Sequence, residues 1–223
     1  MDFVKEVIDI SIKHELPHIP SALSMNYLDS ILKFIDKDWN ISIGKPHGAQ
    51  AYFVSFHKHF GTEPSYFNSV LQNDIYEFVD YSSDVLGNAL GVSIGLSYNN
   101  KKTWCNISDA NLQTGSTMEA LDFIGLNQMD ILLSIDFNDL QLTRNMPRNI
   151  NNYKKIFEAF GWEVKIIDTK NKIPNLEHFI NKSNPRIILF STIKGYGVKE
   201  MELDPSKWHY KILKEENEIT YCK

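Results

Sequence analysis

Two polar side chains stand where short apolar runs stop. Asp109 comes shortly after Thr103–Ile107, and Asn138 directly follows Ile131–Phe137, twenty-nine residues further along the chain. If the two runs are neighbouring parallel strands joined by a helix, this spacing lets both side chains point into one crevice at the carboxyl edge of a sheet. A carboxylate and an amide oxygen are hard donors of the kind Mg²⁺ takes, with phosphate oxygens and water filling most of its octahedral shell. The same two residues also suit a helix cap and an ordinary strand-end turn, so the spacing alone leaves both readings open. His18, before Ile19-Pro20-Ser21, and His47, within Gly44-Lys45-Pro46-His47-Gly48, lie in turn-forming segments. An imidazole there can donate to an oxyanion and move a proton near neutral pH, or it can satisfy loop backbone.

The elements that must position these groups follow from periodicity. In the first third, Phe3, Val4, Val7 and Ile8 share a helical face, as do Leu28, Ile31, Leu32 and Ile35. A third stripe, Ala49, Tyr52, Phe53, Phe56 and Phe60, stops at Gly61. Ile41-Ser42-Ile43 reads as a short strand or extended segment. Beyond residue 80, strand candidates Thr103–Ile107, Ile131–Phe137, Val164–Ile167 and Arg186–Ser191 alternate with helix candidates Ser116–Leu126, Asn149–Phe160 and Asn175–Asn181. That alternation predicts an α/β fold with a mostly parallel sheet and helices on both faces. Gly87, Gly91 and Gly95 recur on one helix face, a groove where another backbone can approach. The expected organisation is a single domain over residues 1–223, with 204–223 a C-terminal tail.

Composition narrows the function. The 223 residues are 43% hydrophobic and 23% charged, enough for a real core. Net charge is −5 and the basic residues are scattered, which argues against a nucleic-acid partner. No uncharged run approaches the ~20 residues of a membrane span. The N-terminus lacks the pattern of a secretory signal. Cys105 and Cys222 sit in unlike settings and make no disulfide framework, so a reducing, cytoplasmic location is expected.

The segment Ser108-Asp109-Ala110-Asn111-Leu112-Gln113-Thr114-Gly115, continuing to Ile135-Asp136-Phe137-Asn138-Asp139-Leu140-Gln141, resembles the thiamine diphosphate motif of transketolases. Other matches follow in the family's order: Pro17-His18-Ile19-Pro20, Gly44-Lys45-Pro46-His47-Gly48, Asp84 to Gly91, Phe160-Gly161-Trp162, Thr192-Ile193-Lys194-Gly195 and Trp208-His209. The resemblance runs from about residue 15 to 210 and implies the family's diphosphate-binding fold.

It further implies thiamine diphosphate and Mg²⁺ as cofactors, with Ca²⁺ or Mn²⁺ as substitutes. Asp109, Asn138 and the Leu140 carbonyl would hold the metal. Ser108, Ala110 and His47 would meet the cofactor, and His18, His47 and His209 would act as catalytic residues facing cofactor and sugar. Only the first of the family's three domains fits in this length. The implied partner is therefore a C-terminal transketolase subunit carrying the pyrimidine-binding domain and its catalytic glutamate, in a heterotetramer working in carbohydrate metabolism. The implied activity is transfer of a two-carbon ketol unit from a ketose phosphate to an aldose. The alternatives are another thiamine diphosphate-dependent carboligase or decarboxylase subunit, or a non-catalytic structural subunit.

The sequence also departs from the family pattern. Ser108 and Ala110 replace glycines, Thr114 stands in place of a glutamate, and Thr169-Lys170-Asn171 replaces Gly-His-Asp. Lys170 is then expected to meet a phosphate as a point charge. The stretch Thr62–Tyr81 does not align.

Overall fold

The computed structural model describes residues 3–99, 101–141 and 144–222. In chain order its helices and strands are α1 (Phe3–Lys13), α2 (Ile19–Leu23), α3 (Leu28–Leu32), β1 (Asn40–Gly44), α4 (Gln50–Phe60), β2 (Tyr81–Ser82), α5 (Asn88–Ser97), β3 (Thr103–Ser108), α6 (Gly115–Leu126), β4 (Ile131–Phe137), β5 (Leu140–Gln141), β6 (Arg144–Asn145), α7 (Ile150–Ala159), β7 (Glu163–Asp168), α8 (Glu177–Ile180), β8 (Arg186–Ser191) and α9 (Lys199–Leu203). Six strands form one sheet in the order β2-β1-β3-β4-β8-β7, and every pairing within it is parallel. β5 and β6 make a separate antiparallel pair.

Strands buried on both faces read as apolar runs, which is why β4 (ILLSIDF) is buried along its whole length. Alternate residues feed two different cores. Trp104, Leu132, Ile188 and Phe190 point into an aromatic-rich core covered by α1–α4, α8 and α9. Cys105, Ile107, Leu133, Ile135, Ile187 and Leu189 point to the opposite face, under α5, α6 and α7. The α/β architecture expected from the alternation is therefore present.

Three local results add to the sequence reading. Ile41-Ser42-Ile43, expected as a short strand or extended segment, is a strand, and β1 lies inside the sheet and pairs with β3 over Asn40–Gly44. The unaligned stretch after α4 has a positioning role: Ser69 accepts from the N–H groups of Gly48 and Ala49 at 3.0 and 3.2 Å, and Leu71 donates to Pro46 at 3.0 Å. The stretch from Asp204 onward packs against the body, since Trp208, His209 and Leu213 are buried. There the N–H of His18 donates to the His209 carbonyl at 3.0 Å, and Tyr221 bridges Val198.

Among the described residues nothing lies within 4 Å of where a Cβ at Gly91 or Gly95 would sit, so their faces are open. Gly48 is different. It adopts φ +84°, and a Cβ there would come within 2.4 Å of the Ala22 amide nitrogen, so only glycine lets the β1 loop lie against α2.

Candidate active site

Parallel strands send their following loops to one edge. Here the loops after β1, β3, β4 and β8 enclose, with residues 209–210, a cavity of about 390 Å³. β1 lies beside both β2 and β3, so the chain runs to one side of β1 and then to the other, and the cavity opens next to this reversal. Ligands of open α/β sheets bind at such a point. His47, Ser108, Asp109, Ala110, Asn138, Leu140 and His209 all line it.

Asp109 is 2% exposed. Its Oδ2 accepts hydrogen bonds from the N–H groups of Asn138 at 3.1 Å and Asp139 at 2.9 Å. Asp139 takes a left-handed φ of 60° in the turn that follows β4, a conformation that Asp tolerates. Burial pushes the Asp109 carboxyl up to about 6 despite the opposing pull of Lys45, the N–H donors and Lys194. A divalent cation beside this carboxylate would act in the same direction as the two lysines and favour its ionised form.

The rest of the donor set suits such a cation. Asn138 Oδ1 accepts from the Leu140 N–H at 3.2 Å, so this amide oxygen and the Leu140 backbone lie together at the cavity wall. Among the described residues no group of three or more His, Cys, Asp or Glu could cage a metal. A cation here would rely on one carboxylate, amide and carbonyl oxygens, and oxygens from a ligand or water, which is the way Mg²⁺ is usually held.

Two lysines complete the floor. Lys45 is buried in an ion pair with Asp136 and donates to Ser24 Oγ at 2.8 Å. Burial pushes its ammonium well below the usual lysine range, with Asp109 pulling the other way. Lys194 is 9% exposed, lines the cavity and makes no ion pair among the described residues. Burial lowers it too, against the pull of Asp109. A lysine so placed can neutralise an oxyanion as a point charge.

Three histidine rings cluster beside the cavity: His47 and His209 line it, while His18 packs against both and is not among the lining residues. The His18 ring meets those of His47 and His209 edge-on, each with centroids 4.8 Å apart, and Tyr210 stands 4.5 Å from His209. His18 adopts φ 64°, an uncommon conformation of the kind that concentrates at functional sites. Burial pushes His18 and His209 down to about 4 and lowers His47, so all three imidazoles are neutral near pH ~7. The Nδ1 atoms of His18 and His209 are buried without a hydrogen-bond partner among the described residues.

Lys170 is not part of this cavity. It sits exposed in the turn after β7, the edge strand, and β8 separates β7 from β4. Sequence reasoning assigned no role to Lys45, Asp136 or Lys194. Only Lys194 carried a local signal, in the loop that follows an apolar strand.

An open parallel α/β sheet with a charged cleft at its carboxyl edge is the arrangement in which such folds bind ligands. Residues 91–222 match the family model described as transketolase, thiamine diphosphate binding domain, and the chain belongs to that family. The mouse transketolase is 32% identical over 147 residues, which cover 61% of this chain and 23% of that protein. The bovine transketolase-like protein 1 is 31% identical over 153 residues, 62% of this chain and 26% of that one. The chain thus spans about a quarter of the length of these relatives. The solved transketolase of Leishmania mexicana superposes with a TM-score of 0.69 at 15% identity, covering 90% of this chain and 38% of that chain. That of Campylobacter jejuni gives 0.66 at 18%, covering 95% and 41%. Among the described residues no helix is long and apolar enough to cross a membrane.

Proposed function

We propose that residues 1–223 act as one thiamine diphosphate- and Mg²⁺-binding unit of a transketolase that moves a two-carbon ketol unit from a ketose phosphate to an aldose. The observation that carries this reading is geometric: the buried Asp109 carboxylate shares one cavity with Asn138, Leu140 and Lys194, a lysine with no ion pair among the described residues. When bound, thiamine diphosphate supplies the reactive carbon that accepts and hands on the ketol unit.

The chain's own residues then divide the work. Asp109, the Asn138 amide oxygen and the Leu140 carbonyl would hold Mg²⁺, and Lys194 would balance the diphosphate charge. The backbone at Ser108 and Ala110 would face the cofactor. His18, His47 and His209, neutral at working pH, each offer one nitrogen as donor and one as acceptor, so they can hold sugar hydroxyls and move a proton at a hydroxyl oxygen.

No glutamate is found among the described residues that line the cavity. We assign that group, which the cofactor's pyrimidine needs, to a second chain in a cytoplasmic assembly of two copies of each subunit. Val85 and Leu86, 55% and 47% exposed near the cavity rim, and the open faces of Gly91 and Gly95 offer the partner an apolar surface.

Calorimetric titration with thiamine diphosphate tests the reading. Wild-type protein binds the cofactor only with Mg²⁺ present, and Asp109→Ala loses that binding. Equal affinity in the two proteins contradicts it. Mixing with a chain that carries the glutamate should then produce ketol transfer that neither chain shows alone.

A further inference from the structure

We propose that Asp136, paired with Lys45, is the positioning residue that decides which atom of Asn138 faces the cation. The inference rests on the Mg²⁺ reading above and extends it to Asp136, a residue that does not line the cavity. Asp136 is fully buried near the end of β4, two residues before Asn138. Three elements fix its carboxylate: Lys45 from the loop after β1, Ser24 Oγ at 2.6 Å from the end of α2, and the Thr192 hydroxyl from the end of β8, which donates to Oδ1.

The consequence falls on Asn138. An amide side chain has two nearly isosteric ends, and only the oxygen can ligate a cation. Asp136 Oδ2 lies 3.5 Å from Asn138 Nδ2, while Asn138 Oδ1 takes the Leu140 N–H at 3.2 Å. A carboxylate accepts and cannot donate, so it attracts the NH₂ end and repels a flipped oxygen. The oxygen is thereby left on the side of Leu140 and the cavity. Lys45, between Asp136 and the field of Asp109, lets two carboxylates sit at adjacent strand ends.

Mn²⁺ titration of the full chain, followed by electron paramagnetic resonance with thiamine diphosphate present, tests the assignment. Asp136→Asn should weaken Mn²⁺ by about tenfold or more, the usual consequence of losing a residue that orients a ligand. In an Asn138→Asp background both terminal atoms are oxygens and there is nothing to orient. There the same Asp136→Asn change should cost no affinity, and by removing a carboxylate that repels the new one it should leave Mn²⁺ binding equal or tighter. A purely structural role would cost the same in both backgrounds, and that result, or no loss in the first, overturns the proposal. If Asp136→Asn fails to fold, Thr192→Val removes one donor to the carboxylate and is read in the same two backgrounds. Asp109→Ala separates the two claims. If it leaves Mn²⁺ affinity unchanged, the metal site itself falls and the positioning role with it; if it abolishes binding while Asp136→Asn does nothing, only the positioning role falls.

Discussion

The β3–β4 wall of the cavity and the histidine cluster beside it are built on different terms. The wall satisfies its own polar groups: Asp109 is held by two backbone N–H groups, and Asp136 by a lysine and two hydroxyls. The histidine cluster joins segments distant in sequence, with His18 in a left-handed conformation and two ring nitrogens left without partners among the described residues. The wall is preorganised for charge and the cluster leaves bonding capacity unused.

The comparison can be broken most sharply at Lys45. Removing one partner of a buried ion pair leaves the other charge uncompensated, so Lys45→Met should lower unfolding free energy by about 3–5 kcal/mol. Urea denaturation reads this directly, and a loss below ~1 kcal/mol would show that the β3–β4 wall is not held by charge.

Asp109 should behave in the opposite way. Its folded pKa of about 6 lies above its ordinary 3.8, so the folded state binds the extra proton between those values. The stability this contributes is present at low pH and lost as pH rises through about 6. Without cofactor, Asp109→Asn should therefore stabilise the protein near neutral pH by up to about 3 kcal/mol, and the gain should vanish below pH ~4. Thermal melts at the two pH values test it.

The histidine cluster has the reverse sign. His18 and His209 have folded values of about 4, below the usual 6.5, so the unfolded chain takes up protons first as pH falls. Stability should decline between pH 6.5 and 4, and His209→Gln should flatten that slope while metal-dependent cofactor binding survives. The smallest effect is expected at Lys170, where Lys170→Ala should change cofactor affinity by less than about twofold, because an exposed turn outside the cavity makes no contact to lose.

The β3–α6–β4 unit was legible in the sequence because strands buried on both faces print as uninterrupted apolar runs. Ile131–Phe137 has the same bounds in the structure as in the sequence reading. The helix stop at Gly61 was equally plain, since it takes the left-handed C-cap at φ 62°. β1 was less visible because its two isoleucines flank a serine, too short a run to distinguish a central strand from a loop. Lys170 lies in the turn after the edge strand β7 and is not among the residues lining the cavity, and no local pattern encodes the strand order that puts β8 between β7 and β4. The Lys45–Asp136 pair was invisible for a similar reason. Each residue looks unremarkable alone, and only the parallel register that brings the β1 loop to the end of β4 makes them partners. The tail carried buried Trp208 and Leu213, an apolar signal outweighed in the sequence by its many charged neighbours.

The most direct measurement is a crystal of this chain grown with thiamine diphosphate and Mn²⁺, with anomalous scattering collected at the manganese edge. The account predicts one strong peak among the Asp109 carboxylate, the Asn138 amide oxygen and the Leu140 carbonyl, with cofactor oxygens completing its shell. A peak elsewhere in the cavity, or a bound cofactor whose diphosphate avoids Asp109 and Lys194, would contradict it.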